Sequence, residues 1–333
     1  MTAGNHSGSV AFFIPHLGCP HSCIFCDQRH ISGHTNPPEP GYISSTLRAV
    51  LATRPEAVPN MQIAFFGGSF TAIDKKLRKM LLEEAAHFCG EGGFAGVRFS
   101  TRPDCINEEI LRELSDYPIT DIELGAQSMS DYVLAESERG HTAAETRLAS
   151  WLIKNAGYNL TLQMMTGLPG DTTEISRQTA EELAALKPDA VRIYPTLVLQ
   201  GTMLEKKLLR GEYQPQSLDE AITQCACLLR FFTDKHINVL RIGLHDSEGV
   251  AKSWLAGPHH PAFRELCEGE AMISQIMPIV RTLPKGAVRL RVRSKSISAL
   301  TGHGRRALKP LEAEGYFPIV IGDDSFGYLQ INA

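Results

Sequence analysis

The feature that most constrains the fold is a regular alternation of strand-like and helix-like segments over the first two thirds of the chain. Short apolar runs typical of buried strands occupy 10–14, 62–66, 95–101, 119–125, 158–166 and 190–195. Helical patterns fill the intervals, at 41–58, 74–89, 108–114, 142–156 and 172–186. Because a crossover helix returns the next strand parallel to the first, the pattern predicts an α/β fold with a parallel sheet. Six such units are two fewer than the eight that close a barrel.

A cluster of cysteines follows the first predicted strand. Cys19, Cys23 and Cys26 have the spacing CxxxCxxC. So short a loop cannot wrap three thiolates around one tetrahedral ion and add a fourth ligand. It can hold three irons of a 4Fe–4S cube and leave the fourth iron open, and thiolates are the ligands that such clusters prefer.

Two other interpretations of these cysteines were weighed. A zinc site needs a fourth ligand, and the nearby histidines are His16, His21, His30 and His34. Zinc loops, however, pair their cysteines as two CxxC units or as CxxC with two histidines. A disulfide is not expected, because the start of the chain shows no secretory signal.

Composition favours a globular protein. Of the 333 residues, 43% are hydrophobic and 21% are charged, and the formal net charge of −4 gives no general affinity for nucleic acid. No apolar run reaches the length needed to span a membrane. We therefore expect a cytoplasmic protein without a membrane partner. The other five cysteines form no second cluster spacing.

Further polar and glycine-rich motifs follow the later predicted strands. Chemistry in barrel folds lies at the carboxyl ends of the strands, so we expect these motifs to surround one mouth together with the cysteines. In chain order they are Gly67-Gly68-Ser69-Phe70-Thr71, Ser100-Thr101-Arg102-Pro103-Asp104, Glu123-Leu-Gly-Ala-Gln127-Ser128, Arg139-Gly-His-Thr142, Gln163-Met-Met-Thr-Gly-Leu-Pro-Gly170 and Arg192-Ile-Tyr-Pro195.

Taken in order, the cysteine loop and these motifs resemble the radical SAM enzymes. The resemblance extends over residues 10–245 and is strongest to the radical SAM domain of the catalytic subunit of the Elongator complex. The oxygen-independent coproporphyrinogen oxidase group is a more distant likeness. The resemblance implies a six-stranded partial TIM-type barrel. It also implies a 4Fe–4S cluster on Cys19, Cys23 and Cys26 that reductively cleaves S-adenosylmethionine (SAM) to a 5′-deoxyadenosyl radical.

The same resemblance implies a SAM site. Gln127 and Gln163 would bind the ribose, Arg139 the methionine carboxylate, and the backbone after Pro195 the adenine. Ser100 departs from the pattern, because a glutamate is expected there, so that contact would be weakened or moved. No residue acting directly on the substrate is implied. The full set implied for SAM is Gly67, Gly68, Ser69, Thr71, Ser100, Arg102, Gln127, Arg139, Gln163 and Pro195.

The C-terminal part has a different character. We expect a radical SAM core over residues 1–245 and a small α+β extension over 246–333. Residues 281–310 contain nine lysines or arginines and no acidic residue. The Gly302 segment resembles a degenerate KH-type loop, in which Arg305 replaces the second glycine. If Arg291, Arg293, Arg305 and Arg306 line one face, the extension would bind RNA; otherwise it is a cap with a solvated basic surface.

Three functions remain open from the sequence. The first is a radical SAM enzyme acting on RNA, in particular tRNA. The second keeps the enzyme but gives it a small-molecule substrate such as a tetrapyrrole. The third is a non-catalytic, cluster-bearing RNA-binding protein. The enzyme would need an electron donor such as flavodoxin or ferredoxin, and the sequence does not define an oligomeric state.

Overall fold

One parallel sheet organises the larger part of the molecule. The computed structural model describes residues 8–14, 16–21, 23–27, 36–244 and 248–333, so His30 and His34 lie outside the described residues. The first six strands lie side by side in chain order and are all parallel. They are β1 (Gly8–Phe13), β2 (Met61–Phe66), β3 (Gly96–Thr101), β4 (Ile119–Gln127), β5 (Asn159–Thr166) and β6 (Ala190–Pro195).

A seventh strand extends the predicted sheet. After β6 the chain forms a two-residue strand, β7 (Val198–Leu199), and returns to the sheet as β8 (Asn238–Ile242), parallel to β6. β1 and β8 are the two ends of the strand order, so the sheet is an open partial barrel. The predicted α/β partial barrel is confirmed, and its predicted count of six strands is wrong by one. The sequence predicts two helices, at 203–210 and 218–235, and a strand at 238–244, but the long crossover from β6 hides that this strand joins the sheet.

The helices between the strands begin close to the predicted positions, because capping residues mark their first turns. Asp74 accepts hydrogen bonds from the backbone N–H groups of Lys76 and Leu77 at the start of α2. Thr142 and Glu145 form a reciprocal capping box at the start of α5. The helices of the barrel region are α1 (Tyr42–Thr53), α2 (Lys75–Ala86), α3 (Glu108–Leu114), α4 (Asp131–Glu136), α5 (Ala143–Asn155), α6 (Thr173–Ala185), α7 (Met203–Leu209) and α8 (Leu218–Asp234).

Alternation along the strands separates the core from the barrel interior. On β4, Ile122, Leu124 and Ala126 belong to the hydrophobic core shared with the helices. The intervening positions, among them Glu123 and Gln127, point to the opposite face of the sheet, which is the barrel interior. The core side is continuous along the chain, and the rings of Phe65, Phe70 and Phe99 stack in sequence within it.

The C-terminal part is an α+β unit that shares this core. α9 (Glu248–Ser253) and β9 (Trp254–Ala256), which pairs with β7, lead into the long helix α10 (Phe263–Val280). β10 (Gly286–Val292), α11 (Ile297–Arg305), α12 (Lys309–Ala313), β11 (Tyr316–Gly322) and β12 (Ile331–Asn332) follow. The sheet order is β11–β10–β12, with β11 parallel and β12 antiparallel to β10. α10, which is absent from the predicted helices, packs against α8.

Candidate cluster and cofactor site

The three cysteines lie in the loop that follows β1, at the carboxyl-terminal edge of the sheet. All three are half-buried and none is in a disulfide. Ile24, between them, is buried against Val198, Leu204 and Tyr213. Its backbone N–H donates to Ser137 and its carbonyl accepts from Leu204, so the loop is tied to two neighbouring segments. This anchoring holds the thiols at the mouth of the barrel.

The glycine turn after β2 contacts the other side of the cysteine loop through backbone hydrogen bonds. The N–H of His16 donates to the Gly67 carbonyl and the N–H of Ser69 donates to the Leu17 carbonyl, both at 3.0 Å. A Cβ on Gly68 would overlap the backbone carbonyls of Leu17 and Ile14. Glycine is therefore required at 68 because the two loops touch through their backbones.

Two polar groups contact the thiols. Arg139 Nη1 donates to Cys23 Sγ at 3.3 Å, and Cys19 Sγ lies 3.5 Å from Ser69 Oγ. Arg139 therefore places a cation beside one of the three sulfurs. Three soft donors on one anchored loop, with a cation beside one of them, fit a cluster that takes one thiolate on each of three irons.

The described residues show no ready-made single-ion site. Among them, no three His, Cys, Asp or Glu side chains are grouped so that they could hold one metal ion. Of the four histidines considered for zinc, His16 and His21 belong to the described residues; the Nε2 of His16 lies 3.4 Å from Asp27 Oδ1.

Hydrogen bonds and the backbone of β4 together connect the cysteine loop to the predicted ribose ligands. Arg139 Nη2 donates to the Gly125 carbonyl at 2.7 Å. Two residues further along β4, Gln127 accepts a hydrogen bond from Gln163 Nε2 at 3.0 Å. Gln127 has a φ of 65° at an irregularity of the β4–β5 register, which turns its side chain relative to the regular strand. The structure therefore brings Cys23, Arg139, Gln127 and Gln163 together.

Gly125 is essential to this arrangement. A Cβ at position 125 would lie 2.8 Å from Arg139 Nη2 and 2.8 Å from Gln127 Nε2. Both polar groups therefore occupy space that any other residue would fill. The motifs indicated Gln127 and Arg139 by resemblance. Gly125, which has no side chain to occupy the space between them, was a further sequence signal for the same site.

Arg102 is held by a neighbour on its own loop. Its Nε and Nη2 atoms donate to the two carboxylate oxygens of Asp104, both at 2.9 Å. The side chain is buried, yet Nη1 has no hydrogen-bond partner in the described part of the chain. An unpartnered N–H on a buried guanidinium is costly unless a ligand accepts from it.

Burial, together with the charges of Arg139 and Arg102, lowers the pKa of His141 to about 3, so that imidazole is neutral.

Three other residues of the predicted SAM site differ in their contacts and in their positions on the strands. The Thr71 hydroxyl is engaged within the protein: it donates to the Cys105 carbonyl at 2.6 Å and lies 2.7 Å from the Thr101 hydroxyl. This contact supports a structural role for that side chain. Ser100 pairs in register with Glu123 on the interior face, and Pro195 ends β6 opposite Thr166.

An ion cluster inside the barrel was not foreseen. Glu123 Oε2 accepts from Arg98 Nη2 at 3.2 Å and lies 2.9 Å from Arg192 Nε. Both guanidinium groups stand 5.7 Å from the centroid of the Phe66 ring. Arg192 Nη1 also donates to the hydroxyl of Tyr194, whose pKa is raised by burial. Charged residues at alternate positions of otherwise apolar strands were the available signal.

The fold and the site define a partial-barrel enzyme with a three-thiol loop at its mouth. The chain belongs to the radical SAM superfamily, whose sequence profile matches residues 13–183, just over half of the 333 residues. A second profile, the radical SAM C-terminal domain, matches residues 188–273. The predicted family and the prediction of an enzyme are confirmed.

Named relatives lie in the predicted branch. A tRNA uridine(34) acetyltransferase of Methanocaldococcus jannaschii is 35% identical over 143 residues, covering 42% of this chain and 26% of the relative. Elongator complex protein 3 of Schizosaccharomyces pombe is 26% identical over 262 residues, covering 65% of this chain and 48% of the relative. The chain thus spans between a quarter and a half of the length of these relatives.

A solved structure supports the fold. The archaeal Methanocaldococcus infernus Elp3, with an N-terminal deletion, superposes with a TM-score of 0.64 at 21% identity. The match covers 82% of this chain and 63% of that one. At this identity the likeness concerns the fold alone. Within the described residues, no helix has the length and apolar character needed to cross a membrane.

Proposed function

We propose that this radical SAM enzyme holds a 4Fe–4S cluster on Cys19, Cys23 and Cys26, binds SAM beside it, and acts on tRNA. The observation that carries the proposal is the contact of Arg139 with both Cys23 and the Gly125 carbonyl. It places one residue predicted to bind SAM in direct contact with one residue predicted to bind the cluster. The tRNA substrate is supported by the names of the relatives.

When bound, the cluster supplies the electron that cleaves SAM to methionine and a 5′-deoxyadenosyl radical. The residues of the chain bind and orient. Gln127 and Gln163 each present an amide, which can both donate to and accept from ribose hydroxyls. Arg102, with one N–H unpartnered, offers a donor fixed by Asp104 to a carboxylate. Arg139 would bind the methionine carboxylate, as the resemblance implies.

A second candidate substrate is favoured by the ion cluster in the barrel. Two guanidinium groups, those of Arg98 and Arg192, share the carboxylate of Glu123 on top of the Phe66 ring. Arg98 Nε has no hydrogen-bond partner in the described part of the chain, so a donor remains for a small molecule that carries carboxylates, as tetrapyrroles do. Membership of the enzyme family sets the non-catalytic alternative aside. A cytoplasmic location, a flavodoxin or ferredoxin donor and a boundary near residue 246 remain part of the proposal.

Nucleoside analysis separates the two substrates. Total tRNA from a strain that lacks the protein is digested and compared with wild-type tRNA by mass spectrometry, with complementation by wild type or by Cys23→Ala. We expect one modified nucleoside to disappear and to return only with the wild-type gene. Identical nucleoside profiles in all strains would contradict the tRNA substrate and favour the small carboxylate.

A further inference from the structure

The C-terminal sheet has one covered and one open face. Val288, Leu290 and Val292 of β10 are buried in the core beneath the helices. The alternate residues of the strand point the other way and are exposed. On the neighbouring strand β11, Phe317 is 68% exposed and Ile319 is 50% exposed. Two large apolar side chains that are this exposed, side by side on one sheet face, indicate a surface with a function.

A row of cations runs along the open face. Arg289, Arg291 and Arg293 occupy every second position of β10 and its continuation, and Lys295 lies just beyond. Alternate residues of a strand share one face, so Arg289 and Arg291 form a basic edge beside the apolar residues of β11. The register places Arg289 next to Ile319 and the small Ala287 next to Phe317.

This row carries most of the uncompensated charge of the basic segment. Over the described ranges, no carboxylate comes within ion-pairing distance of Arg289, Arg293 or Lys295, and Arg291 is 3.9 Å from Asp323 Oδ2. At the Gly302 loop the opposite holds. Arg305 pairs with Glu312 at 2.8 Å, and Arg306 pairs with Asp219. The predicted set of four arginines is thus split, and the loop arginines are neutralised by the protein itself.

We infer that the open face of the C-terminal sheet binds a single-stranded stretch of RNA, with phosphates along the arginine row and a base stacked on Phe317. The inference rests on the proposed RNA substrate and deepens it. Cations that follow a backbone beside an exposed aromatic ring are the combination by which proteins bind single strands.

Charge separates this ligand from a second copy of the chain. In a symmetric dimer formed through the same face, each patch would meet its own copy, so both arginine rows would be brought into one interface. Like charges placed opposite each other are destabilising. A polyanion instead gains from the row, because each phosphate contact releases counterions.

The test uses the full chain after anaerobic reconstitution of its cluster. A short labelled oligouridylate and total tRNA are titrated by fluorescence anisotropy over a series of salt concentrations. Phe317→Ala should weaken binding roughly 5- to 100-fold, which is the range for loss of one base stack. Phe317→Trp should keep it. Arg289→Gln with Arg291→Gln should reduce the slope of log affinity against log salt by about 1.4, which is two phosphate contacts on a single strand.

Two controls are matched to these variants. Leu209→Ala removes another exposed apolar side chain, and Lys309→Gln removes another exposed cation, both away from the sheet face. Both should bind RNA as wild type does, and the unfolding midpoint of every variant confirms that it is folded. Wild-type affinity in Phe317→Ala would overturn the inference. So would a dimer, seen by light scattering, that only the Phe317→Ala variant loses while its RNA binding is unchanged.

The wild-type titration shows which proposal has failed. If wild type binds RNA and all the face variants bind equally well, the sheet face is wrong while the RNA substrate stands. If wild type binds neither probe at any salt concentration yet forms 5′-deoxyadenosine, the proposed RNA substrate fails, and the sheet-face inference with it.

Discussion

Arg139 contacts both halves of the site, the cysteine loop and strand β4. One guanidinium nitrogen contacts the sulfur of Cys23 and another holds the carbonyl of Gly125. The side chain is buried, so neither contact can be replaced by water at low cost. Arginine offers the forked donors that reach both partners at once, and lysine does not.

Replacing this residue should separate SAM binding from cluster assembly. We expect Arg139→Ala to weaken SAM binding by about 1–3 kcal/mol, because a charged partner is lost, while the iron content stays close to wild type. Arg139→Lys should restore only part of the affinity. Equilibrium dialysis with labelled SAM measures the change, and Arg112→Ala, on the exposed side of α3, is the control. Unchanged SAM affinity in Arg139→Ala would show that this arginine is not a SAM-site residue.

At the scale of elements, one carboxylate joins three strands. Glu123 on β4 pairs with Arg98 on β3 and Arg192 on β6, and the exposed fractions of the three side chains are 6%, 11% and 16%. Buried ion pairs are costly to break because the remaining charges lose their partner. At this level of the barrel, ion pairs therefore stabilise the interior, and hydrophobic packing stabilises the outer side.

Removal of that carboxylate should be felt in stability. Glu123→Gln leaves two buried guanidinium groups sharing a neutral amide, and we expect a loss of about 3–5 kcal/mol. Adding Arg98→Met should recover part of the loss, because one unpaired cation is removed with it. Urea unfolding measures both, with Glu109→Gln on the exposed part of α3 as the control. A loss no larger than in the control would mean that the pairs add nothing to stability.

The strands and helices of the barrel were predictable because their signals are local. Apolar runs marked β1 to β6, and residues such as Asp74 and Thr142 marked where helices begin. α10 was missed, and the strand at β8 was predicted without a place in the barrel sheet, since both positions depend on partners far along the chain. The same limit applies to the site. Motifs indicated Gln127 and Arg139, but the pairing of Glu123 follows from strand register, which the sequence does not display.

At the scale of the whole molecule, one hydrophobic core crosses the predicted boundary near residue 246. Cys225 on α8 and Cys267 on α10 are both buried in it. Arg264 Nη1 donates to the carbonyl of Val239 in β8 at 2.9 Å. The C-terminal unit therefore covers one side of the barrel in addition to presenting its own open sheet face.

This packing predicts the behaviour of a truncated chain. The fragment 1–245 lacks α10 and exposes the buried face of α8, so its thermal unfolding midpoint should fall well below that of the full chain in the same cofactor state. Circular dichroism during heating measures the difference. An unchanged midpoint would show instead that residues 1–245 form an independent unit.

The central claim is that the three-thiol loop makes this chain a SAM-cleaving enzyme. Its most direct test is the formation of 5′-deoxyadenosine, measured by mass spectrometry after chemical reduction of the anaerobically reconstituted protein. The wild type, with about four irons per chain, should form it, Cys23→Ala should not, and Cys227→Ala, which changes an exposed thiol on α8, should match wild type. Formation at the wild-type rate by Cys23→Ala would contradict the account.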